Sequence, residues 1–110
     1  LIELMEREDI ELVANPILIS EYERYGERLK AHLLINHLKQ MITIVEPKRE
    51  HVAQCMAYFP ENEYGDAVHA ATCLVADAVI ITNDHHFDRI KEAGVIEVWS
   101  ISEAIHRLIG

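Results

Sequence analysis

The sequence has little of what characterises membrane proteins and secreted, disulfide-rich proteins. No run of apolar residues approaches the roughly 18 that a membrane-spanning helix needs, and we find no signal peptide or low-complexity segment. The two cysteines lack the paired spacing of a zinc site and the density of a disulfide scaffold. The sequence therefore predicts a soluble globular protein of a reducing cytoplasm, with both thiols buried.

Positive charge is also scarce. The chain carries 10 Lys and Arg residues against 19 Asp and Glu residues, which gives a net charge of −9. Because a phosphate backbone attracts positive charge, this balance argues against unassisted binding to nucleic acid, and any nucleic-acid function must involve cations. With 110 residues, the chain is expected to form one domain, residues 1–110. A domain of this size buries roughly 65% of the surface of its unfolded chain.

Strand-like and helix-like segments alternate along the chain. The predicted strands are residues 10–14, 42–45, 78–82 and 95–99. The predicted helices are residues 16–25, 27–40, 48–59, 66–76 and 101–108, with a short helix that ends at Ala93. This alternation predicts an α/β fold, a three-layer α/β/α sandwich around a central parallel sheet. Ligands in such folds bind beyond the carboxyl ends of the strands.

Individual residues mark the ends of these elements. Asn15 is placed to cap the first of these helices, which Gly26 is expected to bend or interrupt. Gly94 predicts the end of the short helix. Ser100 and Glu103 have the spacing of a capping box and predict the start of the last helix.

Three acids stand where a ligand site is expected. Glu21 lies on the apolar face of its helix, Asp66 opens a helix, and Asp84 directly follows a strand. Asp66 and Asp84 also suit simple helix N-caps, and other acids such as Glu63 are interpreted as solvated. Three carboxylates meeting in one crevice would repel strongly, and a hard divalent cation relieves such repulsion. Oxygen ligands favour Mg²⁺ or Mn²⁺ over zinc.

The histidines offer a competing interpretation. His69 lies one turn after Asp66, and His85 and His86 follow Asp84, so these residues would also suit a mixed carboxylate and imidazole site for a softer metal. A small zinc-binding regulator would use such a site. We rank it lower because adjacent histidines point in divergent directions and no H-x-x-x-H spacing surrounds them.

Three blocks of sequence resemble a known family. NPILISEYERY resembles a proline-led helix with its acid, DAVHAATCLVADAVI resembles a D-A-x-H-x-A-T-A helix with its following strand, and IITNDHHF resembles a strand that ends in T-N-D. In these features the chain resembles the PIN-domain nucleases, which include the VapC-type toxins of toxin–antitoxin pairs. The similarity extends over essentially the whole chain.

The resemblance implies a metal-dependent endoribonuclease that cleaves RNA phosphodiester bonds with Mg²⁺ or Mn²⁺. It implies Asp66 and Asp84 as metal ligands and Glu21 as a ligand or as a positioner of water on the metal. Thr82 and Asn83 would orient water or phosphate. The implied partners are an RNA substrate, an antitoxin protein, and a second copy of the chain in a homodimer.

One feature of the family has no counterpart in this sequence. The family begins with a strand that ends in Asp, whereas Leu1, Leu4 and Met5 already have helical spacing. We therefore expect an N-terminally incomplete PIN-like domain that lacks roughly 15–25 residues and the first metal-ligating acid. The alternative function is a catalytically incomplete PIN-like scaffold or an RNA-processing partner protein.

Overall fold

The computed structural model describes residues 9–29 and 32–110. The helix predicted at Leu1 to Met5 lies outside these residues. The chain divides into two compact units, Leu1–Glu46 and Pro47–Gly110. Within the described residues, no helix is long and apolar enough to cross a membrane.

The first unit contains two strands and two helices. They are β1 (Leu12–Ala14), α1 (Pro16–Leu29), α2 (His32–Met41) and β2 (Ile42–Ile44). The two strands are parallel, and Leu12 lies opposite Ile42. The Val45 N–H donates to the Ala14 carbonyl at 2.8 Å and extends the pairing beyond β2. The strands predicted at residues 10–14 and 42–45 are thus confirmed, with shorter bounds.

The cap of α1 is confirmed, but its predicted interruption is wrong. Asn15 is 1% exposed, and its Oδ1 accepts a hydrogen bond from the Leu18 N–H at 2.9 Å. The helix then continues through Gly26, which is buried. A single glycine costs a helix only about 1 kcal/mol relative to alanine, which by itself is too little to end a helix.

The second unit contains the remaining elements. They are α3 (Arg49–Met56), α4 (Tyr64–Ala76), β3 (Val79–Ile81), a 3₁₀ helix (His85–Phe87), α5 (Asp88–Glu92), β4 (Glu97–Trp99) and α6 (Ile101–Leu108). Strands β3 and β4 are parallel, and Val79 lies opposite Glu97. The alternating helices and parallel strands of both units confirm an α/β fold. Among the described residues the strands pair two by two, β1 with β2 and β3 with β4.

Two predicted helix ends in the second unit are confirmed. Gly94 follows α5 with a φ of +72°, a left-handed conformation that glycine adopts without a steric penalty. Its N–H donates to the Lys91 carbonyl at 3.1 Å. Ser100 precedes α6, and its Oγ accepts a hydrogen bond from the Glu103 N–H at 3.1 Å. Both ends therefore follow the local chemistry of their residues.

The core of the second unit forms around α4. Ala67, Ala70 and Ala71 are fully buried there, because alanine lets neighbouring elements approach the helix backbone closely. The rings of Phe59 and Phe87 meet edge to face, with centroids 5.1 Å apart and an interplanar angle of 77°. Phe87 thereby fixes the 3₁₀ helix to the core.

Both thiols are free and contribute to this core, but the prediction that both are buried is confirmed only for Cys55. Cys55 is fully buried and Cys73 is partly buried. Burial, followed by the neighbouring Cys55, raises the pKa of the Cys73 thiol from 9.0 to about 11. The thiol therefore keeps its proton in the folded protein over a range of pH in which the unfolded chain loses it.

We expect this difference to make stability fall in alkali. Above about pH 9 the unfolded state binds fewer protons than the folded state, so the free energy of unfolding declines until about pH 11. The loss from Cys73 is about 2–3 kcal/mol at most. Urea denaturation of the chain and of Cys73→Ala at about pH 8 and about pH 10.5 measures it. An equal decline in both proteins would contradict the prediction.

Candidate metal centre

Asp84 begins the 3₁₀ helix as its N-cap. Its Oδ1 accepts a hydrogen bond from the His86 N–H at 2.9 Å, and its own N–H donates to the Thr82 Oγ1 at 3.0 Å. The sequence IITNDHHF therefore forms a strand end followed by a tight, side-chain-capped turn. The cap interpretation of Asp84 is confirmed, while its function as a metal ligand stays a prediction.

Asp66 lies in the first turn of α4, but it is not the cap. The helix begins at Tyr64, and Glu63 occupies the cap position without a side-chain hydrogen bond. The Ala67 N–H donates to the Glu63 carbonyl at 3.2 Å, so the first helical turn already contains Asp66. The predicted start at Asp66 is thus wrong by two residues. A carboxylate in the first turn is favoured by the partial positive charge of the helix N-terminus.

The imidazole of His86 lies among three carboxylates. Its Nδ1 is 3.5 Å from Asp66 Oδ2, 3.6 Å from Asp84 Oδ1 and 3.7 Å from Glu63 Oε1. The side chains of Asp66 and Glu63 are 21% and 29% exposed, whereas those of Asp84 and His86 are about half exposed. The 3₁₀ helix and the N-terminus of α4 therefore meet through charged and polar side chains at a partly open surface.

One group in the described residues has the spacing of a metal site. Glu63, Asp66 and His86 each offer a ligand atom, and these atoms all lie within 4.8 Å of one another. Two carboxylates and one imidazole suit a divalent cation of the first transition row, and the carboxylates alone suit Mg²⁺. The donor set therefore fits a divalent metal. Asp84 adjoins this group through His86 without being part of it.

Glu21 lies in the first unit, whereas Asp66 and Asp84 lie in the second. It is partly buried on α1, while Ile17, on the face predicted to point inward, is 37% exposed. Burial and the charge of Glu21 together raise the pKa of the neighbouring Tyr22 hydroxyl. Its function as a metal ligand or water positioner stays a prediction.

Thr82 and Asn83 both hold the loop after β3. Thr82 Oγ1 accepts the Asp84 N–H, and Asn83 Oδ1 accepts the Ile101 N–H at 3.0 Å, which ties the loop to the start of α6. These bonds position Asp84 and His86 over the end of the β3–β4 pair. Their predicted contact with water or phosphate stays a prediction.

Sequence reasoning missed Glu63 and undervalued His86. Glu63 was interpreted as solvated, yet it stands one helical turn before Asp66, a spacing that places two side chains on the same helix face. The divergence of the adjacent histidines is confirmed: His85 Nδ1 lies 3.2 Å from Asp88 Oδ2 and its side chain is 94% exposed, while His86 turns towards the acids. That divergence leaves one histidine available to the site.

Comparison with known proteins identifies the family. The family model of the PIN domain matches residues 1–93, a range that contains both the 3₁₀ helix and α4. Searches of curated proteins and of solved structures give no significant match. PIN domains are generally metal-dependent nucleases that act on RNA or other nucleic acids, and this chain belongs to the PIN domain family.

Proposed function

We propose that the chain is a metal-dependent endoribonuclease that uses Mg²⁺ or Mn²⁺, with Asp66 and Asp84 as metal ligands and Glu21 as a ligand or a positioner of water. The observation that carries the proposal is the approach of Asp66 and Asp84 to one imidazole nitrogen, at 3.5 and 3.6 Å. The fold thereby brings together two acids that are far apart in the sequence, one just after the end of β3 and the other in the first turn of α4.

The site supplies negative charge in a partly buried position. A bound divalent cation supplies Lewis acidity towards water and the phosphate. The protein holds its carboxylates in place through the first turn of α4 and the cap of the 3₁₀ helix. Thr82 and Asn83 keep the intervening loop in position. Since the chain has a net charge of −9, cations are needed for RNA binding and not only for catalysis.

Metal removal tests this proposal. We expect the chain, assayed alone and with any residues that are encoded before Leu1, to cleave a single-stranded RNA in Mn²⁺ or Mg²⁺. Excess EDTA should stop cleavage, and an added excess of either cation should restore it. A DNA of the same sequence serves as the comparison substrate. RNA cleavage that persists in EDTA, or no cleavage in either cation by either form, would contradict the proposal.

The resemblance to VapC-type toxins supports a finer proposal, in which the nuclease is the toxin of a toxin–antitoxin pair. Expression of the chain should then inhibit growth, and coexpression of a small neighbouring protein should relieve the inhibition. We also propose a cytoplasmic homodimer in which residues 1–110 form one PIN-like domain, a three-layer sandwich around a central sheet. Unimpaired growth on expression of an RNA-cleaving chain would argue against the toxin proposal.

The structure also offers a reason to consider a PIN-like scaffold without catalysis. Asp84, Thr82 and Asn83 each make a hydrogen bond that shapes the loop, so their presence has a structural explanation independent of any metal. A scaffold of this kind would still bind its RNA-processing partner after the carboxylates of Asp66 and Asp84 are substituted. Titration of Mn²⁺ into the chain and into Asp66→Asn separates the two functions, because only the nuclease needs a metal ion at Asp66.

A further inference from the structure

We infer that His86 and Glu63 join Asp66 as ligands of one divalent cation, and that the imidazole gives this site a preference for Mn²⁺ over Mg²⁺. The inference deepens the proposed function and rests on it. It assigns a nitrogen ligand and an additional carboxylate to a site that the sequence predicted from Asp66, Asp84 and Glu21.

The distances among the donor atoms fit one cation. His86 Nδ1 is 3.5 Å from Asp66 Oδ2 and 3.7 Å from Glu63 Oε1, and the ligand atoms of all three residues lie within 4.8 Å of one another. An octahedral ion with ligands at about 2.1 Å places neighbouring donors about 3 Å apart and opposite donors about 4.2 Å apart. The cluster therefore needs only small side-chain rotations to enclose an ion.

The backbone holds the imidazole in this position. The His86 N–H donates to Asp84 Oδ1, and the next residue, Phe87, is 4% exposed and packs edge to face on Phe59. His86 thus lies between a side-chain cap and a buried ring. Such support reduces the conformational entropy that the His86 side chain loses when it binds a metal ion.

The carboxylates are held from the other side. Asp66 lies in the first turn of α4 and Glu63 directly precedes this helix, so one helical turn carries both. Their side chains are the two least exposed of the cluster, which limits competition from bulk water. The cluster thus combines two elements, α4 and the 3₁₀ helix, each of which is fixed to the core.

The nitrogen ligand determines the choice of metal. Mg²⁺ prefers oxygen ligands in a strict octahedron and binds imidazole poorly, whereas transition ions accept imidazole readily. Among the cations implied by the family, Mn²⁺ therefore gains more from His86 than Mg²⁺ does. The competing interpretation is an imidazolium that pairs with the acids and binds no metal.

Pulsed electron paramagnetic resonance of bound Mn²⁺ tests the assignment, because it detects a directly coordinated nitrogen. We expect nitrogen modulation in the wild-type chain and in His85→Gln, the control at the adjacent exposed histidine, and its loss in His86→Gln. Labelling the histidines of the wild-type chain with ¹⁵N should change the modulation frequencies. That measurement needs no substitution and so does not depend on the folding of a variant.

Titration calorimetry with Mn²⁺ and with Mg²⁺ measures how strongly the site prefers one cation to the other. His86→Gln should weaken Mn²⁺ binding on the order of tenfold or more and change Mg²⁺ binding less, whereas Glu63→Gln should weaken both. Mn²⁺ bound in an Asp66-dependent manner without nitrogen modulation would overturn this inference and leave the proposed function standing. Modulation that persists in His86→Gln would overturn it as well. Absence of Mn²⁺ binding by the wild-type chain would overturn both.

Discussion

Asp66→Asn should reduce metal-dependent RNA cleavage by at least about 100-fold. Asp66 is the least exposed acid of the cluster and the carboxylate nearest to His86 Nδ1, at 3.5 Å. The amide keeps the shape of the side chain but removes the charge that a divalent cation requires. Substitutions of groups that only support metal ligands already cost about 10- to 100-fold, so loss of a direct ligand should cost more. Single-turnover cleavage of a labelled RNA measures the effect.

Asp77→Asn is the matched control for this substitution. It makes the same chemical change at the other end of α4, where Asp77 is exposed and has a φ of +52°. Asparagine adopts this left-handed conformation readily, so the fold should not change. We expect Asp77→Asn to cleave RNA at the wild-type rate. Equal rates in Asp66→Asn and Asp77→Asn would show that Asp66 has no part in the reaction.

Phe87→Ala should lower the free energy of unfolding of the second unit by about 3–5 kcal/mol. Phe87 is 4% exposed and its ring meets that of Phe59, so truncation leaves a cavity in the core and removes an aromatic contact. The same change frees the 3₁₀ helix that carries His86, and metal affinity should fall together with stability. Urea denaturation followed by the fluorescence of Trp99 measures the stability.

Ile105→Ala provides the control for this prediction. Ile105 lies on α6 in the same unit and is 53% exposed, so its truncation should cost less than about 1 kcal/mol. A double-mutant cycle with Phe59→Ala should give a coupling of about 0.5–1.5 kcal/mol for the aromatic pair. A loss below about 1 kcal/mol in Phe87→Ala would show that the ring does not anchor the 3₁₀ helix.

The sequence predicted those parts of the fold that local chemistry determines. Asn15, Gly94 and Ser100 each end or begin an element through their own side chain or φ angle, and the structure confirms all three. The prediction failed where the local preference is weak, since one glycine costs a helix only about 1 kcal/mol and a carboxylate is favoured throughout the first helical turn. α1 passes through Gly26, and α4 begins at Tyr64 rather than at Asp66.

The candidate site shows the same limit. Asp66 and Asp84 could be selected from the sequence because they stand at a helix start and a strand end. The approach of His86 to Asp66 depends on how the 3₁₀ helix turns after its Asp84 cap and on how Phe87 packs, and neither is encoded in a spacing. Glu63 could have been found from its helical spacing to Asp66, had the helix start been placed correctly.

Isothermal titration of Mn²⁺ into the 110-residue chain, with Asp66→Asn and Asp77→Asn alongside, tests the central claim most directly. If the acids at the N-terminus of α4 form a metal site, the wild-type chain and Asp77→Asn bind Mn²⁺ with equal affinity and Asp66→Asn does not bind measurably. The same titrations on a chain that includes any residues encoded before Leu1 should preserve this order. Equal binding by all three proteins, or no binding by any of them, would contradict the assignment of a metal centre at Asp66.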